Sequence, residues 1–117
     1  MIHGNRTKGR KFGREKKVRD ALLKSLALAL VLENRIKTTD AKARSLRPFV
    51  EKLVTQGRLK TVAARRNLIS KIGTKGAEKI VTDISPKYAE RKGGYTRITK
   101  LPQRLSDGSF MSVIEFI

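Results

Sequence analysis

The stretch Ala21–Leu32, which reads ALLKSLALALVL, constrains the fold more than any other part of this chain. Alanine and leucine are among the strongest helix formers, so we predict a helix. Burying its leucines and Val31 would contribute on the order of 10–20 kcal/mol before entropy is counted. A surface helix keeps its apolar residues on one stripe, and we expect this helix to be surrounded by other elements because its leucines point in nearly every direction: Leu22, Leu23, Leu26, Leu28, Leu30 and Leu32.

The same run is too short to cross a bilayer, which needs about 20 consecutive apolar residues. A chain of 117 residues is long enough for one domain with a modest core. We therefore expect a single globular domain over residues 15–117, without membrane insertion.

The chain carries a large excess of positive charge, with 28 lysines and arginines against 10 acidic residues and a net charge of +18 at pH 7. Such a charge repels itself in an isolated domain, so a polyanion is the natural partner. Aromatic residues make up only 5% of the chain, which predicts that phosphate contacts matter more than base stacking. We therefore predict nucleic-acid binding that weakens steeply with salt.

Residue types that enzymes and metal sites need are scarce. The chain has no cysteine, which excludes disulfides and thiolate metal ligands, and its single histidine is His3. The phosphate-binding patterns GxxxxGK[ST] and GxGxxG do not occur. We predict no catalytic residue, metal, cofactor or small-molecule substrate. Four acidic residues stand singly among basic ones and are expected to form helix-surface ion pairs: Glu51, Glu78, Asp83 and Glu90.

The segment before the leucine-rich helix is basic and is interspersed with Gly4, Gly9 and Gly13. Such a segment cannot bury enough surface to fold alone. It is either a solvated tail or an arm that becomes ordered on nucleic acid, and the charge of the whole chain favours the arm. We predict an extended basic arm over residues 1–14, with helical structure beginning near Arg14.

The sequence predicts a short strand after the leucine-rich helix, at residues 35–39, where β-branched residues accumulate. A second helix is predicted from Asp40 to Gln56, capped by Thr39 or Asp40. Pro48 lies inside it and is expected to kink or split it. Gly57 is expected to end this helix.

Two more helices are predicted, from Leu59 to Ile72 and from Thr74 to about Ile84, separated by Gly73. Pro86–Arg91 can add one helical turn that starts with proline. Residues 73–76 match the GxxG loop with which KH domains clamp single-stranded nucleic acid. The strand that precedes this loop in KH domains is missing, which favours a plain junction between two helices.

The composition changes after Gly93-Gly94, where the sequence predicts a strand at residues 95–101, a loop with a tight Asp107-Gly108 turn, and a second strand at residues 110–117. A lone hairpin is marginally stable, so we expect the strand at residues 35–39 to join it. The order helix, strand, three helices, two strands predicts an α+β fold, in which a small three-stranded sheet packs on helices in two layers.

Residues 91–97, which read RKGGYTR, are the most informative candidate for a binding site. Gly93 and Gly94 would let the backbone approach a phosphate, and Tyr95 could stack on a base or a ribose. Alternatively, the two glycines only turn the chain and Tyr95 anchors the sheet. Both interpretations stay open on the sequence alone.

Several strings resemble the bacterial large-subunit ribosomal protein L-seventeen family. They are GRKFGR at residues 9–14, RIKTT at residues 35–39 with the following AKA, LRP at residues 46–48, and above all RKGGYTRI at residues 91–98, closing towards Ile114-Glu115. The resemblance covers essentially the whole chain in order. Two positions depart from the family pattern, since Ile2 replaces an arginine and Val18 replaces a histidine.

The resemblance implies a structural protein of the large ribosomal subunit, located in the cytoplasm, that binds ribosomal RNA near the polypeptide exit tunnel and touches neighbouring ribosomal proteins. A general nucleic-acid-binding or DNA-compacting protein is the alternative that the charge alone would allow. We predict RNA contacts from the basic arm, from the start of the leucine-rich helix and from the glycine-rich motif, namely His3, Arg6, Lys8, Arg10, Lys11, Arg14, Lys16, Lys17, Arg19, Arg91, Lys92, Gly93, Gly94, Tyr95 and Arg97.

Overall fold

The computed structural model describes the backbone of residues 2–117 and the side chains of residues 16–117. Its elements are, in chain order, α1 (Ile2–Glu33), β1 (Arg35–Thr39), α2 (Asp40–Arg58), α3 (Val62–Lys79), β2 (Thr96–Lys100) and β3 (Met111–Phe116). A π-helical turn at Ile80–Ile84 and a 3-10 turn at Ser85–Tyr88 lie between α3 and β2. The predicted α+β class is confirmed.

The three strands form one antiparallel sheet in the order β1-β3-β2. The predicted hairpin of β2 and β3 is confirmed, and β1 joins it by pairing with β3 rather than with β2. The register places Ile36 and Ile98 on either side of Ile114. This row faces the helices, while Arg35 and Arg97 lie on the opposite, exposed face because side chains alternate along a strand.

Helix α2 lies at the centre of the fold and contacts every other described element. Thr39, one of the two predicted caps, caps its amino end by accepting a hydrogen bond from the Lys42 backbone N–H. Pro48 lies within a continuous helix and does not split it. One apolar stripe is buried along the whole helix: Ala43, Leu46, Val50, Leu53, Val54 and Gly57.

The prediction that Gly57 ends α2 is wrong, because the helix continues to Arg58. Gly57 is buried, and a Cβ at this position would collide with the side chains of Ser85 and Ile80. The Ser85 hydroxyl donates to the Val54 carbonyl at 2.9 Å. Gly57 therefore allows the π-helical and 3-10 turns to pack closely against α2.

Helix α1 is not surrounded by protein as its leucines predict. Ala27, Leu30 and Val31 are fully buried, but Leu22 and Leu32 are 38% and 42% exposed. The reason is its position at the side of the molecule, where it packs against α2, α3 and β1 on one face only. The backbone of α1 begins at Ile2, ahead of the start predicted near Arg14. The side chains of the predicted arm over residues 1–14 lie outside those that the structure describes.

Helix α3 begins at Val62 rather than Leu59, with the Thr61 hydroxyl accepting from the Ala64 N–H at 3.0 Å. Gly73 breaks it with a φ of 87°, a conformation that glycine adopts without strain. The helix is therefore kinked at the position where the sequence predicts a division into two helices. Within the part of the chain that the structure describes, no helix has the length and hydropathy that a membrane span requires.

Candidate nucleic-acid interface

The glycine loop, which we define as residues 91–95, connects the end of the 3-10 turn to β2. Gly94 adopts a φ of 65°, which favours glycine. A Cβ at Gly93 would meet no atom within 4 Å, so this position faces open space. The side chains of Arg91 and Lys92 are exposed. The structure therefore presents two cations beside a backbone that a large anion can approach.

Arg58 fixes one side of the glycine loop from the last turn of α2. Its guanidinium donates to the Ala89 carbonyl at 2.8 Å, to the Tyr95 hydroxyl at 3.0 Å and to the Arg91 carbonyl. The contacts predicted from the sequence do not include this residue. Its only sequence signal is a basic side chain in the last turn of a helix, where it complements the helix dipole.

Glu51 fixes the other side of the loop from the middle of α2. Its carboxylate accepts from the Gly94 N–H at 3.4 Å and from the Thr96 hydroxyl at 3.0 Å. It also pairs with Arg47 at 3.5 Å, one helical turn away. The predicted helix-surface ion pair is confirmed for Glu51, and the carboxylate additionally positions the loop.

Tyr95 is fully buried, so its ring is not available to stack on a base. The ring centroid lies 5.1 Å from that of Tyr88, and the hydroxyl is 3.2 Å from the Thr55 hydroxyl. Of the two roles left open for this residue, the structure favours the anchor of the sheet. Tyr95 is therefore not expected to contact RNA directly.

Tyr88 and the chain end form a second anchor close to Tyr95. The Tyr88 hydroxyl donates to the Ile117 carbonyl at 2.6 Å. Burial raises the pKa of the Tyr88 hydroxyl, and the nearby Arg91 partly opposes this shift. Tyr88 thus joins the 3-10 turn to Ile117 beside the buried ring of Tyr95.

Arg97 lies on the exposed face of the sheet, where it shares one carboxylate with Arg35. Arg97 Nη2 is 2.9 Å from Glu115 Oε1, and Arg35 Nε is 3.9 Å from Glu115 Oε2. Lys37, on the neighbouring row of the same face, is exposed. Two arginines and one lysine therefore surround a single acid, and this face keeps a net positive charge.

Arginines and lysines play different roles in the described part of the chain. Every ion pair observed there uses an arginine. Lys79 donates to the Leu32 carbonyl at 2.9 Å and is half-buried. The other described lysines are exposed and form no ion pair: Lys16, Lys17, Lys24, Lys37, Lys42, Lys52, Lys60, Lys71, Lys75, Lys87, Lys92 and Lys100.

The remaining predicted contacts lie in and before α1. Lys16, Lys17 and Arg19 are exposed at the first described turns of α1. They lie on α1, whereas the glycine loop directly precedes β2. The other predicted contacts fall outside the residues whose side chains are described: His3, Arg6, Lys8, Arg10, Lys11 and Arg14.

The GxxG motif at residues 73–76 serves packing between helices. Gly76 is buried, and a Cβ there would collide with Ile72 and approach Leu28 of α1. Gly73 forms the kink of α3. This arrangement is the helix junction that the sequence favours over a KH-type loop.

The acidic residues of the described chain do not gather into a reactive site. Among the described residues, no group of three or more histidine, cysteine, aspartate or glutamate side chains could hold a metal ion. The backbone N–H of Ser109 lowers the pKa of the exposed Asp107 carboxyl within the tight turn. Glu78 pairs with Arg65 at 3.4 Å across the kink of α3.

Comparison with known proteins finds a matching family and similar proteins. A family model described as ribosomal protein L17 matches residues 22–117. The large ribosomal subunit protein bL17 of Persephonella marina is 48% identical over 116 residues, which cover 97% of this chain and 94% of that protein. The proteins of the same name from Shouchella clausii and Helicobacter acinonychis are 44% and 46% identical, and each alignment covers 92% of this chain and at least 94% of the relative.

Proposed function

Because this chain belongs to the ribosomal protein L17 family, we propose that it is a structural, non-catalytic component of the large ribosomal subunit. The observation that carries the proposal is the match to relatives of that name along nearly the whole of both chains. The placement in the ribosome of the cytoplasm, near the polypeptide exit tunnel and beside other ribosomal proteins, is carried over from the family.

The partner within the subunit is ribosomal RNA, bound mainly through its phosphates. This proposal is supported by the exposed lysines, because a lysine without a carboxylate partner can neutralise a phosphate without first breaking an ion pair. Lysine also acts as a point charge that fixes position more than it reads sequence. We expect affinity for ribosomal RNA to fall by about 10³–10⁵ between roughly 50 and 200 mM salt.

We propose two described contact regions for the RNA. The first comprises Lys16, Lys17 and Arg19 on α1, which continue the basic segment that begins with His3. The second comprises the glycine loop, with the side chains of Arg91 and Lys92 and the open backbone at Gly93 and Gly94, together with Arg97 on the adjacent strand. In this arrangement Arg58, Glu51 and Tyr95 hold the loop and do not touch the RNA.

The predicted arm contributes the remaining contacts, through His3, Arg6, Lys8, Arg10, Lys11 and Arg14. In the free protein we expect this basic segment to lack partners that neutralise it, and in the ribosome we expect phosphates to provide them. Reversing the charge of Arg10 and Lys11 with glutamate is therefore expected to reduce incorporation into large-subunit particles.

Sedimentation of a cell lysate on a gradient tests the proposal. Tagged protein is expected to migrate with the large subunit, and Arg91→Glu combined with Lys92→Glu is expected to move a large fraction to the top of the gradient. Lys42→Glu combined with Lys87→Glu is the matched control, because it removes the same charge from exposed positions outside the proposed regions. Migration of the wild-type protein with DNA instead of the subunit would support the DNA-compacting alternative.

A further inference from the structure

A cleft lies between α2 and α3, beside the glycine loop. Its volume is about 530 Å³, within the range of roughly 300–1,000 Å³ that small-ligand sites occupy. Phe49, Lys52 and Leu53 line it from α2, and Asn67 and Lys71 line it from α3. Lys92 and Gly93 close one end. We call this space the α2–α3 cleft.

One wall of the α2–α3 cleft is apolar. Leu53 forms part of it with 4% of its surface exposed, and the half-buried Phe49 lies one helical turn before it. Leu59, at the end of α2, is 58% exposed and also lines the space. A flat apolar group placed here would cover carbon that is otherwise in contact with water.

The charged groups around the cleft are mainly positive. Lys52, Lys71 and Lys92 line it, are exposed, and form no ion pair. The one carboxylate in the lining belongs to Glu51, which already binds Arg47 and the backbone of the glycine loop. A ligand for this site is therefore expected to combine a flat apolar part with negative charge.

Polar and open positions complete the cleft. Gln56 and Asn67 both line it, and the carboxamide of the exposed Asn67 can donate and accept hydrogen bonds. Gly93 leaves open space where any other residue would place a Cβ. A nucleotide has the corresponding parts, since its base offers a flat face and a polar edge and its phosphate carries the charge.

We propose that the α2–α3 cleft receives one unstacked nucleotide from a single-stranded segment of the ribosomal RNA, an inference that rests on the proposed function. The base lies against Phe49 and Leu59, and its edge bonds the carboxamide of Asn67. The flanking phosphates lie near Lys52 and Lys92. A base inside a duplex is paired and stacked, so a regular double helix cannot fill the cleft.

The test uses the full chain and two RNA probes, a short single-stranded oligoribonucleotide carrying one 2-aminopurine and the same strand annealed to its complement. Gly93→Phe fills the end of the cleft without changing the charge. Ala63→Phe is the matched control, because Ala63 is exposed on α3 and does not line the cleft. Thermal melting followed by circular dichroism establishes that both variants are folded.

The expected result is that Gly93→Phe weakens binding of the single strand about tenfold and binding of the duplex clearly less, because only the single strand loses the stacking of a base as well as the contact at the loop backbone. The 2-aminopurine fluorescence should change on binding to the wild-type protein and to Ala63→Phe, but much less on binding to Gly93→Phe. Equal affinities of all three proteins for the single strand would overturn the inference while leaving phosphate binding intact. Failure of the wild-type protein to bind either RNA would overturn the RNA-binding function itself.

Charge variants provide a second measurement that does not depend on Gly93. Lys52→Gln with Lys71→Gln removes two cations from the cleft, and Lys42→Gln with Lys75→Gln removes two exposed cations elsewhere. A larger loss of single-strand affinity for the cleft pair supports the inference. Equal losses would contradict the inference, because these lysines would then act only through the overall positive charge of the protein.

Discussion

Helices α1 and α2 differ in how their apolar residues are arranged, and the difference decides which of them organises the fold. Helix α1 contains the leucine-rich run, yet Leu22 and Leu32 are substantially exposed. Helix α2 has fewer leucines, but its apolar residues form one stripe that is buried from Ala43 to Val54. Alignment of apolar residues on one face therefore predicts burial better than their number does.

The largest expected effect is the loss of a central side chain of α2. Leu46 is fully buried, so Leu46→Ala removes apolar contacts and leaves a cavity. We expect the free energy of unfolding to fall by about 2–5 kcal/mol. Urea denaturation measures this value, and a loss below about 1 kcal/mol would contradict the central position of α2.

A smaller effect is expected where α2 contacts the π-helical turn. Gly57→Val places a branched side chain against Ser85 and Ile80, and overpacking of this kind costs roughly 1–3 kcal/mol. Gly93→Val is the control, because Gly93 faces open space. Equal thermal midpoints for the two variants would show that close packing at Gly57 is unimportant.

The carboxyl end of α2 should matter more for the glycine loop than for the core. Arg58→Met keeps an apolar stem but removes the hydrogen bonds to the carbonyls of Ala89 and Arg91 and to the Tyr95 hydroxyl. We expect a loss of about 1–2 kcal/mol and faster amide hydrogen exchange in residues 89–95. Arg44→Met, which breaks only an exposed ion pair with Asp40, should leave that exchange unchanged.

The smallest mutational effect is expected in α1. Leu22 is already 38% exposed, so Leu22→Ala should lower the free energy of unfolding by less than about 1 kcal/mol. Leu30→Ala in the same helix is the control, because Leu30 is fully buried and its loss should cost about 2–5 kcal/mol. A loss of about 2–5 kcal/mol for both leucines would mean that Leu22 is covered as fully as Leu30.

Alkaline pH gives a further comparison at the anchor of the glycine loop. Because the pKa of Tyr88 is raised in the folded protein, its contribution to stability is complete below the unfolded pKa of about 10 and is lost as pH rises through the folded pKa. Tyr88→Phe should remove this part of the pH dependence. Identical slopes of unfolding free energy against pH for wild type and variant above about pH 10 would contradict it.

The sequence was most informative where local rules decide the structure. The strand at residues 35–39, the cap at Thr39, the break at Gly73 and the final hairpin all follow from backbone propensity and short-range hydrogen bonds. These features need no knowledge of distant neighbours, and each was predicted close to its observed position.

The features that the sequence did not predict depend on contacts between distant residues. The role of Gly57 depends on Ser85, and the role of Arg58 depends on Ala89, Arg91 and Tyr95. The position of β3 between the other strands likewise depends on packing that no local pattern encodes. In the candidate site, the cations and glycines were recognisable from the motif, but the burial of Tyr95 required the tertiary structure.

The central position of β3 also bears on how a nascent chain acquires this fold. The register joins Arg35 to Glu115 and Lys100 to Ser112, so neither outer strand has a β partner until residues 111–116 are available. During synthesis, the described helices can therefore begin to associate while β1 remains unpaired until most of the chain has been made. Such long-range closure slows folding, so the sheet is the last part of this basic chain that can be completed.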